Sequence, residues 1–460
     1  MNEALSNILL DGAWETITGR RFVMKRIAML ALCAICTGFV THAAVWVVDQ
    51  GGGGDFLTIQ EAIDAAVTGD EVIVNLGTYT ENLNYLGKDL WIHSAEGPGT
   101  TILDGSEGSP GCGSCVVFQS GESAEAILEG FTLTRGTGIA VTERGVRTMA
   151  GGGAACLGSS PTLRACLFAD NSANLGGGVF LNGASPCIVN CEFLHNIAVS
   201  LGGAVYGSAD PTTLLLDGCL FESNIAGWGG GAIHQDPPDG NIHDCVFRNN
   251  CANTGGALSF SSYGECPEIT DCIFQSNQAL DSHGGAIRLH ETSATIERSL
   301  FFDNFAALDG GGLFAIDGSW PTITNCTFAF NTAWRCGGNI AVLSYSSISV
   351  ANCIISNALD GGGIYCELAS TVFTCTDAWD NAGGNYIGVG DPTGTAGNIS
   401  ADPLFCDPAN EDFTLQYCSP CAPFSQPNPE CDLIGACPIG CGGTPVIASS
   451  WGAIKAMFRE

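Results

Sequence analysis

The sequence predicts an all-β fold: a right-handed single-stranded parallel β-helix, a solenoid with a short N-terminal capping helix and a Cys-rich C-terminal cap. Three observations carry this. First, a unit of the form C-x-F-x-x-N followed by a glycine pair recurs along the middle of the chain; its clearest copy is Cys326-Thr327-Phe328-Ala329-Phe330-Asn331 with Gly337-Gly338. Second, successive copies of the cysteine position lie 25, 28, 26, 27, 27, 27 and 27 residues apart, and a fixed period in the twenties marks stacked repeats. Third, each unit runs through its glycines into a second β-like stretch, such as Gly285-Ala286-Ile287-Arg288-Leu289, where helix would be costly.

Three columns define the repeat. The cysteine column reads Cys166, Cys191, Cys219, Cys245, Cys272, Ser299, Cys326 and Cys353. The phenylalanine column reads Phe168, Phe193, Phe221, Phe247, Phe274, Phe301 and Phe328, then Ile355. The asparagine column reads Asn171, Asn196, Asn224, Asn250, Asn277, Asn304 and Asn331, and is lost at Ala358. Stacked strands lie about 4.8 Å apart and disulfide Cβ atoms nearer 3.8 Å, so the cysteines are expected to pack as small hydrophobes, a role Ser299 can share. The phenylalanines are expected to face inward. The asparagines suit a tight turn, since Asn tolerates positive φ, and their stacked amides can bond one another. A leucine-rich repeat is the rival fold, because Leu163-x-x-Cys166-x-Phe168-x-x-Asn171 fits its pattern. It wants a convex, usually helical, segment where this chain has glycines. Propeller blades need about 40 residues per unit and do not fit.

In chain order, residues 1–44 read as an upstream extension and a signal peptide. Met24-Lys25-Arg26, the apolar run Ile27 to Val40, and Thr41-His42-Ala43-Ala44 have the basic, apolar and small-residue sections of an export signal. The run is short for a membrane span, and residues 1–23 read as an over-extended start. Residues 45–105 hold the N-terminal cap and first coils. Val45 to Val48 is a strand. Ile59, Ala62, Ile63 and Ala66 share one helical face, with Thr58 as N-cap and Glu61 at the capping-box position. A short amphipathic helix at this point covers the open end of the stack. The stretch Asp55-Phe56-x-Thr58-Ile59-Gln60-Glu61-Ala62-Ile63-Asp64-Ala65-Ala66, then Gly69-Asp70-x-Val72-x-Val74 and Gly77-x-Tyr79-x-Glu81, resembles the amino-terminal cap of the pectin-lyase-like right-handed β-helix superfamily. Pectin methylesterases carry a version of it. The resemblance implies the fold and says little of activity, because the motif precedes the coils that carry catalysis.

Residues 106–366 are the parallel β-helix repeats. Before they settle into period, Cys112-Gly113-Ser114-Cys115 reads as a local disulfide or free thiols, and Arg135, Arg144 and Arg147 mark a loop. The paired signatures Phe274-x-x-Asn277 and Gly284-Gly285-Ala286-Ile287 resemble the repeats of chlamydial polymorphic outer-membrane proteins, which are surface-displayed, adhesin-like β-helices. Those proteins end in a membrane β-barrel, for which no room follows the repeats here. Residues 367–441 are the last coils and the cap. Cys406, Cys418, Cys421, Cys431, Cys437 and Cys441 are dense enough to read as a disulfide-stapled unit in an exported chain, with zinc as the rival. Residues 442–460 are a linker and tail, in which Trp451, Ile454, Met457 and Phe458 share a helical face.

The net charge is −32, with only Lys25, Lys88 and Lys455 as lysines, so nucleic acid is excluded as a partner. The same charge attracts cations, but no calcium motif is present and no cofactor is expected. Hydrolases on this fold need close carboxylate pairs, and no Asp-Asp pair occurs. Lyases need calcium-holding acids plus a basic proton acceptor, and Arg248, Arg288 and Arg298 read as single arginines without an acidic cluster at matching positions one coil away. The Q-D-T signature of methylesterases is missing. Among the scattered His195, His234, His243, His283 and His290, the candidates for meeting a ligand are His283, beside Gly284, and His290 with Glu291. No catalytic or metal residue is assigned. Two functions remain open. One is an exported bacterial protein, secreted or on the cell surface or outer membrane, acting as a non-catalytic scaffold or adhesin toward extracellular glycan or a host or neighbouring cell. The other is a polysaccharide-active enzyme or glycan binder of the pectin-lyase-like type. Neither has a transmembrane span in the mature chain.

Overall fold

The computed structural model describes residues 43–106, 113–209, 212–262 and 266–442. The apolar run read as an export signal, Cys112 and the C-terminal tail lie outside the described residues. In the regular repeats each coil lays down four short strands, for example Thr162–Arg164, Leu167–Ala169, Ser172–Leu175 and Val179–Asn182. Stacked coil on coil, these positions build sheets of 13, 12, nine and 12 strands, here sheets 1 to 4 in that order. Pairing between coils is parallel and in register, so Phe193 lies opposite Phe168 on one side and Phe221 on the other. The chain is a parallel β-solenoid, with almost no helix among the described residues.

The phenylalanines fill the interior. Rings from Phe168 to Phe328 stack at centroid distances of 4.8, 4.7, 4.9, 4.8, 4.6 and 4.3 Å, nearly parallel, and none is exposed. Each contributes about 1.5–3 kcal/mol by burial. The cysteine column is a line of buried thiols. Cys191 Sγ donates to the carbonyl of Val189, two residues back, at 3.5 Å. Ser299 Oγ makes the same bond to Glu297 at 2.9 Å, which is why serine is accepted in that slot.

The asparagine column corrects one expectation. Positive φ falls on the residue before each Asn, as at Asp170, Asn249, Ser276 and Asp303 (56, 57, 54 and 56°), and not on the Asn itself. The Asn side chains instead run as a buried amide ladder. Asn250 Nδ2 donates to Asn277 Oδ1 at 3.0 Å and to the Phe221 carbonyl at 2.9 Å, and Asn277 repeats the pattern to Asn304. Where the column is lost at Ala358, Asn339 and Asn381 extend the ladder at 2.8 and 3.0 Å. A second left-handed corner precedes each cysteine, at Asn190, Asp244, Asp271 and Asn325. The short polar residues there can adopt that backbone.

At the N-terminal end, the helix Ile59–Ala65 buries Ile59, Ala62 and Ile63. Thr58 Oγ1 accepts from Glu61 N at 3.3 Å. The next two free helix N–H groups, Ile59 and Gln60, donate to the Glu81 carboxylate at 2.9 and 2.8 Å, which gives the distant glutamate of that motif its reason. Arg144 does not sit in an open loop. With Gly145 it forms the two-residue turn of an antiparallel hairpin, Ile139–Glu143 with Val146–Ala150, both turn residues at positive φ (49 and 79°).

The C-terminal unit carries the disulfides that its cysteine density implies, and it lies against a sheet face. Phe405, Phe413, Leu415 and Ile434 pack on Leu300, Phe302, Ala329 and Ile354, so the unit folds back across the outer face of sheet 2. Two disulfides hold it, Cys406–Cys441 and Cys375–Cys431. The second reaches outside the six-cysteine cluster into the last coils, while Cys418 and Cys421 remain thiols. No group of three or more metal ligands converges among the described residues.

Candidate functional site: the seam between sheets 3 and 4

In sheet 4, successive side chains point to opposite faces. Val179, Val205, Ile233, Leu258, Ile287 and Leu313 join the interior core. Their neighbours Phe180, Tyr206, His234, Ser259, Arg288 and Phe314 pair rung to rung and face outward. Phe180, Tyr206, Ser259 and Phe314 are buried all the same. The reason is the third corner. A glycine at positive φ, such as Gly176 (58°) or Gly284 (72°), turns the chain so sharply that the residue before it folds over this outer column. Leu175 packs on Phe180 and Tyr206, and His283 stacks on Phe314 with ring centroids 4.2 Å apart. The two rows meet as a seam along the solenoid.

The seam is apolar at both ends. Ala150, Leu175, Phe180 and Tyr206 form one cluster, and Phe314, Ala341 and Leu343 another. Between them it turns polar for three rungs. His234, Ser259 and Arg288 lie on one side, and Gly229, Thr254 and His283 on the other. His234 stacks on Tyr206 at 5.7 Å and is 6% exposed; its Nδ1 has no hydrogen-bond partner. Ser259, 1% exposed, has an equally unpartnered Oγ. Gly229 aligns with Leu201 and Thr254 of the adjoining coils but puts no side chain into the wall. From the hairpin tip, Arg144 reaches Asp236 at 2.5 Å. Burial holds the His234 imidazole down to about 4; Asp236 opposes this, while Arg288 and Arg144 add to it. His234 is therefore neutral at neutral pH. Burial also lowers Arg288, whose one side-chain hydrogen bond goes to Ser261 Oγ at 3.3 Å.

Of the sequence candidates, His283 lies in the seam, 3.0 Å from Asp309 Oδ2. Asp309 is buried and clamped by Arg335. Burial works to raise its pKa, but the contacts from Arg335 and His283 win and hold it low. His290 ends the strand Ile287–His290 beyond the glycine corner, 3.3 Å from Asp317, and Glu291 occupies a left-handed turn (φ 56°). The two histidines thus serve different carboxylates and are not brought together. Arg248 and Arg298 each pair with a single acid one coil away. Arg248 bonds Glu222 at 3.1 and 2.7 Å, and Arg298 bonds Asp271 at 2.9 and 2.8 Å. Separations of 26 and 27 residues bring these partners onto adjoining rungs. Sequence reading missed His234, Ser259 and Gly229 as a group. The only signal was the same period, applied to the position just after the glycine corner.

Residues 94–301 and 256–390 match the family model described as a right-handed β-helix region. The chain is a right-handed β-helix protein. No curated protein matches it. Among solved structures, a pectin methylesterase from carrot is similar at 12% identity and TM-score 0.26, covering 78% of this chain and 88% of that one. A mutant of the PL6 family alginate lyase AlyGC is similar at 13% and TM-score 0.39, covering 88% of this chain and 59% of that one. The pectin methylesterase PemA from Erwinia chrysanthemi is similar at 13% and TM-score 0.28, covering 57% and 80%. Within this β-helix protein, no helix among the described residues is long and apolar enough to cross a membrane.

Proposed function

We propose that this β-helix is an exported protein that acts by presenting its outer surface, as a scaffold or adhesin toward extracellular glycan or a neighbouring cell, without turnover. One observation carries the reading: the arginines are used as braces between rungs. Arg164, Arg248, Arg298 and Arg335 each bind a carboxylate of an adjoining coil. An arginine held that way is a poor proton acceptor and has few donors left for a substrate. Support comes from a broken apolar stripe along sheet 3 and its turns, where Ile197, Val199, Ile225, Trp228, Trp334 and Leu359 are exposed; patches of this kind mark interaction surfaces. The export-type segment near the N-terminus and the two disulfides fit an oxidising compartment.

The second reading is a polysaccharide-active enzyme, and the polar rungs of the seam favour it. A glycan array read beside a reducing-sugar assay on uronic-acid polymers separates the two. Binding without new reducing ends is expected. Turnover of any such polymer would overturn the scaffold reading.

A further inference from the structure

We propose that the polar rungs of the seam form a binding site for one small oxyanion, held by His234, Ser259 and Arg288 beneath Gly229. Two buried polar atoms in this site have no partner, His234 Nδ1 and Ser259 Oγ. A buried polar group left unmet is costly, so their adjacency requires an explanation. Both lie close to one point. A methyl-sized atom added to Gly229 would lie 3.3 Å from Ser259 Oγ and 3.5 Å from His234 Nδ1. The adjoining coils put Leu201 and Thr254 into the wall there, this coil puts no side chain into it, and Leu201 Cδ2 lies 3.5 Å from the same point.

The charges select an anion. The charged groups acting on His234 are Asp236, Arg288 and Arg144. Asp236 and Arg144 pair with each other. Arg288, unlike Arg164, Arg248, Arg298 and Arg335, has no carboxylate within ion-pair reach. Its half-buried charge is met only at longer range, by Asp317, in a chain of net charge −32. A neutral imidazole N–H, a serine hydroxyl and spare guanidinium N–H groups are all donors, a set that matches a carboxylate, sulfate or phosphate group. The ligand is that group, whether free or part of a larger molecule. The site does not depend on whether the solenoid binds or cleaves a polymer.

The test is isothermal titration of the full chain with sodium sulfate, sodium phosphate and sodium acetate at pH 7 and constant ionic strength. One anion per chain is expected to bind saturably for at least one salt, and the ranking of the three identifies the preferred geometry. Arg288→Met and Ser259→Ala should each weaken binding roughly tenfold or more, the worth of a charge-assisted hydrogen bond. Gly229→Leu, which gives this coil the side chain of Leu201, should abolish it. Arg298→Met should leave it unchanged. Melting curves by circular dichroism separate loss of the site from loss of the fold. Should Gly229→Leu unfold the chain, Gly229→Ala serves, because the backbone there lies outside the left-handed region. No saturable binding of any of the three salts, or binding that Arg288→Met and Ser259→Ala leave untouched, overturns the site.

Discussion

At the scale of single residues, position in the ladder decides what a side chain is worth. Phe274 stacks between Phe247 and Phe301 at 4.8 and 4.6 Å with no exposure. Phe274→Ala is expected to cost about 3–5 kcal/mol, because neighbours fixed by the sheets cannot collapse into the gap. Denaturant unfolding checks it, and a loss below about 1 kcal/mol would contradict close packing there. Phe274 was legible in the sequence because every rung repeats the same demand. The asparagines were legible as a column but misread in mechanism. Asn and Asp share a tolerance for positive φ, and only the backbone shows that Asp303 makes the turn while Asn304 makes the ladder. His234 was not legible as a site residue. Its column changes chemistry at each rung, from Tyr206 to Ser259, and its meaning depends on Gly229 standing opposite.

At the scale of elements, the C-terminal unit is where pH and redox state act. Asp377, on the strand Asp377–Trp379, is fully buried. It accepts from Ala401 N at 3.0 Å and Cys421 Sγ at 3.1 Å, and burial pushes its pKa up to about 6 from 3.8. The folded state therefore holds this proton more tightly than the unfolded chain does. Its stabilising contribution is complete below about pH 4 and declines as pH rises through about 6, by about 3 kcal/mol in all. Asp377→Asn should flatten that decline; a variant whose melting midpoint still falls over the same window would show another group responsible. The disulfide Cys375–Cys431 spans 56 residues, and its loss by Cys375→Ser with Cys431→Ser should cost about 4 kcal/mol. Limited proteolysis of the C-terminal unit reads that directly, and an unchanged digestion pattern would mean that packing on Phe302 and Ile354 suffices. Cysteine density announced this unit, but pairing was beyond reach, since the partner of Cys431 lies in the last coils and not in the cluster.

At the scale of the whole molecule, two electrostatic effects oppose each other. Forty-seven acids against fifteen lysines and arginines give self-repulsion that added salt screens. Salt also weakens the arginine braces, but partly exposed pairs of that kind contribute only about 0–1 kcal/mol each. Repulsion should win, so the melting temperature is expected to rise as sodium chloride goes from low to physiological ionic strength. A fall would mean that the braces hold the coils together more than burial does. Calcium at matched ionic strength separates general screening from a specific site. With no converging ligand group among the described residues, calcium should raise the melting temperature no further than sodium does. A calcium-specific rise would place a cation site on the acidic surface, and would connect the net charge to function as well as to solubility.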